Sequence, residues 1–385
     1  MEYGKFHTYS AGGRLSLALA VVDGRIDYSD KLVEVVYKCM MDGMCDVADK
    51  VCRYNVEPLE VLREFRCKLV EEGQILPQHR AVIANLRKEG NMLMKLRADR
   101  GKWADGLNVT EISKKPAEVV FHAGCRCNYD DEMKKLARDS VTLLANAGVK
   151  LGIMGKDENC CGCRAYEMGF RDEFVKFAES NMEAWKAGGV KTVVTACSDC
   201  YYGFKRLYPD MGSKFEVVHV VEYIRRLIAQ GKMKLTKKIP MKITYHDPCH
   251  LGRLGELYIP WNGTVKKIMG GIPVHEPPKP RYNGAFGVYD LPREVLKAIP
   301  GIELVEMERN RENAWCCGAG GGVPDAYPDF AQWTAKERVA EAESTGAESL
   351  VTACPWCERH FIDAAKATNS KMEVFDIVEL VQKAI

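Results

Sequence analysis

Ten cysteines set out as two copies of one five-cysteine pattern constrain this chain more than any other feature. The first copy is Cys125, Cys160-Cys161-Gly162, Cys197 and Cys200; the second is Cys249, Cys316-Cys317-Gly318, Cys354 and Cys357. Each copy supplies a lone cysteine, an adjacent pair followed by glycine, and a CxxC. A single zinc completes its shell with four donors, so five thiols per copy point to several iron atoms bridged by sulfur. A structural zinc site, disulfides or buried unligated thiols are the other readings of such cysteines. A thioredoxin-like dithiol at Cys354-Pro355-Trp356-Cys357 needs neither a CCG nor a fifth cysteine on another strand. The export signal that would favour disulfides is not evident, because the apolar run from Leu15 to Val22 has few basic flanks and follows a polar start.

The segments around the cysteines alternate short strands with amphipathic helices from Pro116 onward. AEVVFHAGC, VKLGIM, KTVVTAC and KFEVVH read as strands, and YDDEMKKLARDSVTLLANAG, FRDEFVKFAESNMEAWKAGG and VEYIRRLIAQ as helices. That alternation predicts an α/β fold with parallel sheets, and the cysteines fall in loops at carboxyl ends of strands, where such sheets place their sites. The second half repeats the first: MKITYHDPC answers AEVVFHAGC, NAWCCGAG answers ENCCGCRA, and ESLVTACPWC answers KTVVTACSDC. The copies differ in one interval. Cys125 and Cys160 are separated by 34 residues but Cys249 and Cys316 by 66, the extra length holding the Gly- and Pro-rich WNGTVKKIMGGIPVHEPPKPRYNGAFGVYD. This insertion is expected to be an excursion near the site or a docking surface. Residues 1–115 read as a small α-helical domain with an ordered connector over 92–115, residues 116–240 as the first α/β domain and 241–385 as the second. Helical periodicity runs through KLVEVVYKCMMDGMC, VEPLEVLREFRCKLVEEG, which Pro58 opens, and PQHRAVIANLRKEG.

The duplicated frames, with HDPCHLGR at 246–253, NAWCCGAGGG at 313–322 and TACPWC at 352–357, resemble the CCG-domain iron-sulfur oxidoreductases typified by the B-type and D-type subunits of heterodisulfide reductase. The similarity spans about 116–385. RADRGKWADGL and the helical amino-terminal part are similar to the ferredoxin-like domain that precedes the CCG pair in D-type subunits, including D-like subunits of benzoyl-CoA reductase complexes. The resemblance implies two noncubane 4Fe-4S clusters. One would use Cys125, Cys160, Cys161, Cys197 and Cys200, the other Cys249, Cys316, Cys317, Cys354 and Cys357. It further implies two-electron reduction of a disulfide, with Cys161 and Cys317 at the chemistry; the alternative is an electron relay or docking subunit without a disulfide substrate.

Cys39, Asp42, Cys45 and Cys52 resemble a ferredoxin ligand run in which Asp42 stands for the second cysteine. They imply either one further cluster or a metal-free relic, while Cys67 reads as a buried helical thiol. Cys127 and Cys163, just beyond frame cysteines, have no counterparts in the second copy and read as small residues packed beside a cluster or as spare thiols. His246, His250 and Arg253 flank Cys249, either as hydrogen-bond donors to a cluster or a substrate, or as structural groups; His122 reads as structural. The glycines from Gly318 to Gly322 follow a CCG and do not open a βαβ unit, so they let backbone amides approach sulfur and do not hold a nucleotide.

No flavin or nicotinamide signature occurs, so electrons are expected from a partner of flavoprotein or ferredoxin type. A balance of 55 basic against 53 acidic residues gives no footprint for nucleic acid, and no apolar run is long enough for a transmembrane anchor. A cytoplasmic location is expected.

Overall fold

In a computed structural model, which describes residues 3–48, 56–256, 261–269, 271–280 and 282–385, the strands fall where alternation of apolar runs and helices places them. The first sheet contains β1 (Thr110–Glu111), β2 (Val119–His122), β3 (Leu151–Ile153), β4 (Thr192–Thr195) and β5 (Glu216–His219) in the order β1-β3-β2-β4-β5. The second contains β6 (Met241–Tyr245), β9 (Ile302–Val305), β10 (Ser349–Thr352) and β11 (Glu373–Asp376) in the order β9-β6-β10-β11. All pairings in both sheets are parallel. Helices cover both faces, so the central strands are apolar at their middles: Val120, Phe121, Val193, Val194, Leu350 and Val351 are fully buried.

The two sheets share one permutation, in which the strand leading to the lone cysteine lies between the strands leading to the CCG and to the CxxC. In the first sheet β2 lies between β3 and β4; in the second β6 lies between β9 and β10. Parallel neighbours end on the same side, so this order alone collects five cysteines from distant parts of the sequence. The repeat extends to helix caps. His219 caps the helix Val220–Ala229 with Glu222 in a capping box, and Asp376 with Glu379 does the same for Ile377–Ala384.

Two features depart from the expected pattern. Thr110–Glu111, inside the segment expected to be a connector, adds an edge strand to the first sheet that the second sheet lacks; Ile112 N–H donates to Ile153 O at 2.9 Å. Trp103, also in that segment, is buried against Phe121. The helix expected to run through Cys45 ends at Tyr37, where Lys38 leaves helical geometry at ψ 49°; Cys45 lies in a separate short helix, Met44–Ala48, and between the two Met41 and Gly43 take left-handed backbone angles, φ 53° and 73°. In the long insertion, β7 (Thr264–Ile268) and β8 (Ile272–Glu276) form an antiparallel hairpin whose first strand is exposed along its length.

Of the amino-terminal helices Ala11–Val22, Asp30–Tyr37, Pro58–Glu71 and Pro77–Glu89, the third packs on Cys163–Glu167 of the first repeat and the fourth on Val323–Ala326 of the second. The Tyr37 hydroxyl donates to Met168 O at 3.0 Å, and buried Arg66 donates to Glu167 O, Gly321 O, Val36 O, Tyr37 O and Cys39 O. A Cβ at Gly320 would lie 2.2 Å from Met40 O, and one at Gly321 2.5 Å from Cys39 O. The glycine run therefore admits the backbone of the 39–40 loop, an approach the sequence pattern had suggested for sulfur.

Buried His79 lies 2.8 Å from Gly322 O through Nε2, and burial holds its pKa down to about 4. Its ring is thus neutral in the folded protein but takes a proton in the unfolded chain below about 6.5. Stability from this residue is present at neutral pH and lost as pH falls from about 6.5 towards 4. The loss at pH 5.5 is expected to be about 1.4 kcal/mol. Urea denaturation of wild type and His79→Gln at pH 7.5 and 5.5 should show a smaller pH effect in the variant.

Candidate metal centre

The lone and CxxC cysteines follow their strands within a few residues, whereas each CCG lies at the end of a longer loop after Ile153 or Val305. All ten are buried, and the fifteen described cysteines are free thiols. The ten thiols are electrostatic neighbours in sequence: Cys125 of Cys160, Cys160 of Cys161, Cys161 of Cys200, and Cys200 of Cys197. The same order recurs in the second repeat from Cys249 through Cys316, Cys317 and Cys357 to Cys354. The two runs join where Cys197 meets Cys354, the first cysteines of the two CxxC pairs. One continuous buried array of sulfur thus spans both repeats.

Within it the middle cysteine of each CCG, like Cys354, is held below the usual thiol value. Contacts with Cys160 and Cys200 hold the Cys161 thiol down to about 7, and contacts with Cys316 and Cys357 hold Cys317 down to about 6, both against the opposing effect of burial. The lone cysteines Cys125 and Cys249 are pushed well up, by their contacts to Cys160 and Cys316 and by burial. Donors converge on the sulfurs. Gly162 N–H and Gly318 N–H point to Cys160 Sγ and Cys316 Sγ, each at 3.4 Å, and Arg100 Nη2 to Cys125 Sγ at 3.4 Å. Beside the first frame a Cβ on Gly124, whose φ is +76°, would lie 3.1 Å from Cys200 Sγ.

The histidines take distinct places. His246 receives Arg338 Nε on Nδ1 at 3.1 Å, while its buried Nε2 has no partner and the ring belongs to a close group with Cys317 and Cys357. Burial, with Arg338 and Arg253 nearby, keeps its pKa well below the usual histidine value. His250 lies between repeats, Nε2 2.6 Å from Glu167 Oε1 and Nδ1 3.1 Å from Asp199 Oδ1 and 3.5 Å from Cys249 Sγ. Although burial opposes it, these negative neighbours raise its pKa well above the usual value. Fully buried His122 has no hydrogen-bond partner on either nitrogen and packs edge-on against Phe204.

Five thiols per frame, buried together, with amide and guanidinium donors aimed at sulfur and an orphaned His246 Nε2 beside two of them, fit iron-sulfur groups. The loop of Cys39, Asp42 and Cys45 does not fit as well. Asp42 Oδ2 takes Arg253 Nη2 at 3.0 Å and Oδ1 takes the Met44 N–H at 3.3 Å, so both carboxylate oxygens are in use. Burial and nearby carboxylates push the Cys45 thiol well up. Cys52 lies outside the described residues. Arg253 also donates to Glu312 O and Ala314 O, fastening the segment that enters the second CCG to the 39–45 loop. Cys67 and Cys127 are buried core thiols, and Cys163 is buried beside Glu167 and His250.

Sequence reasoning missed Arg100, Glu158, Glu167, Asp199 and Arg164. Glu158 accepts the Ala123 and Gly124 N–H groups that lead into Cys125. Arg164 pairs with Asp199 at 3.1 Å and stacks 3.5 Å from the Trp356 ring centre. A usable signal was position: Asp199 and Trp356 are the equivalent residues inside the two CxxC pairs.

A family model described as a cysteine-rich domain, CCG, matches residues 119–205 and 243–362, together more than half of the chain. The D-type subunit of the dihydromethanophenazine:CoB–CoM heterodisulfide reductase of Methanosarcina mazei is 34% identical over 91% of this chain and 78% of its own. FadF of Bacillus subtilis, described as a probable iron-sulfur-binding oxidoreductase, is 29% identical over 94% of this chain and 49% of its own length. Among solved structures, a hypothetical protein from Helicobacter pylori superposes with a TM-score of 0.51 at 11% identity, over 85% of this chain and 57% of that one, which is a likeness of fold. No helix among the described residues is long and apolar enough to cross a membrane.

Proposed function

Because the chain belongs to the cysteine-rich CCG-domain family and is related to the D-type subunit of heterodisulfide reductase, we propose that it is an iron-sulfur oxidoreductase subunit carrying two noncubane 4Fe-4S clusters. The observation that carries this reading is the unbroken sulfur array joined at Cys197 and Cys354. Cys125, Cys160, Cys161, Cys197 and Cys200 would hold one cluster and Cys249, Cys316, Cys317, Cys354 and Cys357 the other. When bound, such groups supply electrons one at a time to a sulfur-centred substrate.

The reaction is reduction of a disulfide, RSSR + 2e⁻ + 2H⁺ giving two thiols. His250, charged between Glu167 and Asp199 and 3.5 Å from Cys249 Sγ, holds a proton at the second frame. The unpartnered His246 Nε2 offers a donor beside Cys317 and Cys357. Burial of the array excludes water from the sulfur chemistry. Electrons arrive from a flavoprotein or ferredoxin-type partner, in keeping with the relative from Methanosarcina mazei being, by its own name, one subunit of a larger enzyme.

A relay without a disulfide substrate is the second reading. It is favoured by a cavity of about 490 Å³ that reaches the second frame at Cys316 and has no first-frame cysteine in its wall. Anaerobic assay with reduced methyl viologen and CoB–CoM heterodisulfide separates the two. Disulfide reduction predicts two thiols released per two electrons and a turnover lowered at least tenfold in His250→Gln; electron uptake without thiol release selects the relay.

A further inference from the structure

Three buried side chains that neither frame uses as ligands meet between the repeats. Cys163, Glu167 and His250 bring one ligating atom each, a thiol sulfur, a carboxylate oxygen and a ring nitrogen, within 4.8 Å of one another, and none is more than 2% exposed. Cys163 stands outside the five-cysteine pattern, since Ala319 occupies its place in the second copy. Cys163 and Glu167 begin and end the helix Cys163–Glu167, and their spacing of four residues puts both on one face. His250 comes from the other repeat.

The surroundings hold each donor as a metal ligand is held. His250 turns Nδ1 to Asp199 Oδ1 at 3.1 Å, and Arg164 fixes Asp199 at 3.1 Å; a carboxylate behind one ring nitrogen directs the other towards a metal. That other nitrogen, Nε2, meets Glu167 Oε1 at 2.6 Å, while Glu167 Oε2 accepts the Gly321 N–H at 3.2 Å. Ligands around a tetrahedral zinc ion stand roughly 3.3–3.6 Å apart, so the pair must open by about 1 Å to admit one. A divalent cation that replaces the Nε2 proton of His250 and the thiol proton of Cys163 leaves the total charge of the buried group unchanged. The interior therefore gains no net charge, the costly part of burying an ion. A way in is present as well. Tyr202, whose ring centre is 5.0 Å from that of His250, stands in the wall of a surface recess where Asp46, Glu57, Glu60 and Glu256 outnumber Arg206 and Arg253. Such a recess draws cations.

We propose that Cys163, Glu167 and His250 form an exchangeable site for one divalent cation of the zinc class, separate from both frames. A thiol, an imidazole and a carboxylate together select such an ion over magnesium or calcium, which take oxygen ligands. Cation and proton are alternatives at His250 Nε2, so the metal binds reversibly. While bound, it withdraws the proton that the disulfide reaction draws from His250. Only this consequence rests on the preceding reading; the site itself requires no iron.

Zinc K-edge EXAFS on the anaerobic holoprotein, stripped with a chelator and then dialysed against zinc, tests it. One zinc per chain is expected, with a single sulfur neighbour, two or more nitrogen or oxygen neighbours, and no iron lost. Cys163→Ala should weaken zinc binding at least tenfold in equilibrium dialysis, whereas Cys67→Ala, at another buried thiol outside the frames, should leave it unchanged. Iron content and thermal midpoint establish that each variant is folded, and the wild-type spectrum decides alone if Cys163→Ala is not. An excess of magnesium should not displace the zinc. Absence of bound zinc, more than one sulfur neighbour, release of iron in step with zinc uptake, displacement by magnesium, or binding indifferent to Cys163→Ala would overturn the proposal. Single-sulfur zinc in protein that holds no iron would leave this site standing while the cluster assignment fell, so the two failures are distinguishable.

Discussion

Cys161→Ala is expected to remove about four irons and about four sulfides per chain, and Cys317→Ala the same amount from the other frame, with the double variant losing nearly all. The reason lies in the geometry of each CCG. Cys161 is the link between Cys160 and Cys200, and Cys317 the link between Cys316 and Cys357. Each is the member of its pair held down towards the thiolate, the form that ligates metal. Removing either opens its frame in the middle while leaving the other frame's thiols in contact. Anaerobic iron and sulfide analysis with EPR on each single variant provides the check. Loss of one distinct signal per variant fits two separate centres; equal loss of both signals in either variant would mean one shared centre across the Cys197 and Cys354 contact.

Arg66→Met should destabilise the protein by more than about 4 kcal/mol, because it leaves five carbonyls, four of them buried, without their donor. Those carbonyls belong to Val36, Tyr37 and Cys39 in the amino-terminal part, Glu167 in the first repeat and Gly321 in the second. One guanidinium therefore fastens all three parts of the chain a few residues from both CCG loops. Arg66→Lys keeps the charge but not the planar fork, and is expected to recover less than half of the loss. Urea denaturation of the anaerobic protein measures both; a change below about 1 kcal/mol for Arg66→Met would show that the carbonyls find other donors.

The strands and the frames were legible because both are written locally. An apolar run ending in a cysteine loop, repeated six times in two matching sets, specifies parallel strands and where their ends lie. What joins the two frames was not legible. The contact of Cys197 with Cys354 depends on how the repeats face each other, and no local pattern encodes that. The glycines at 320 and 321 show a related limit. They read as room for amides near sulfur, whereas the structure uses them to admit Met40 and Cys39 backbone from a segment about 280 residues earlier.

Buried charges were the least legible part. Arg100 sits in RADRGKWADGL, which reads as an ordered connector with no sign of a site residue, yet it is fully buried and donates to Cys125 Sγ. Asp42 occupies a ligand position in a ferredoxin-like run, but Arg253, 211 residues away, takes its carboxylate. In both cases the partner that fixes the side chain's role comes from a distant segment.

Quantifying iron, acid-labile sulfide and zinc in the wild-type protein purified without oxygen tests the central claim most directly. Two clusters predict about eight irons and about eight sulfides per chain, with a brown colour and no stoichiometric zinc. Colourless protein with one zinc per frame, or with neither metal, would contradict it.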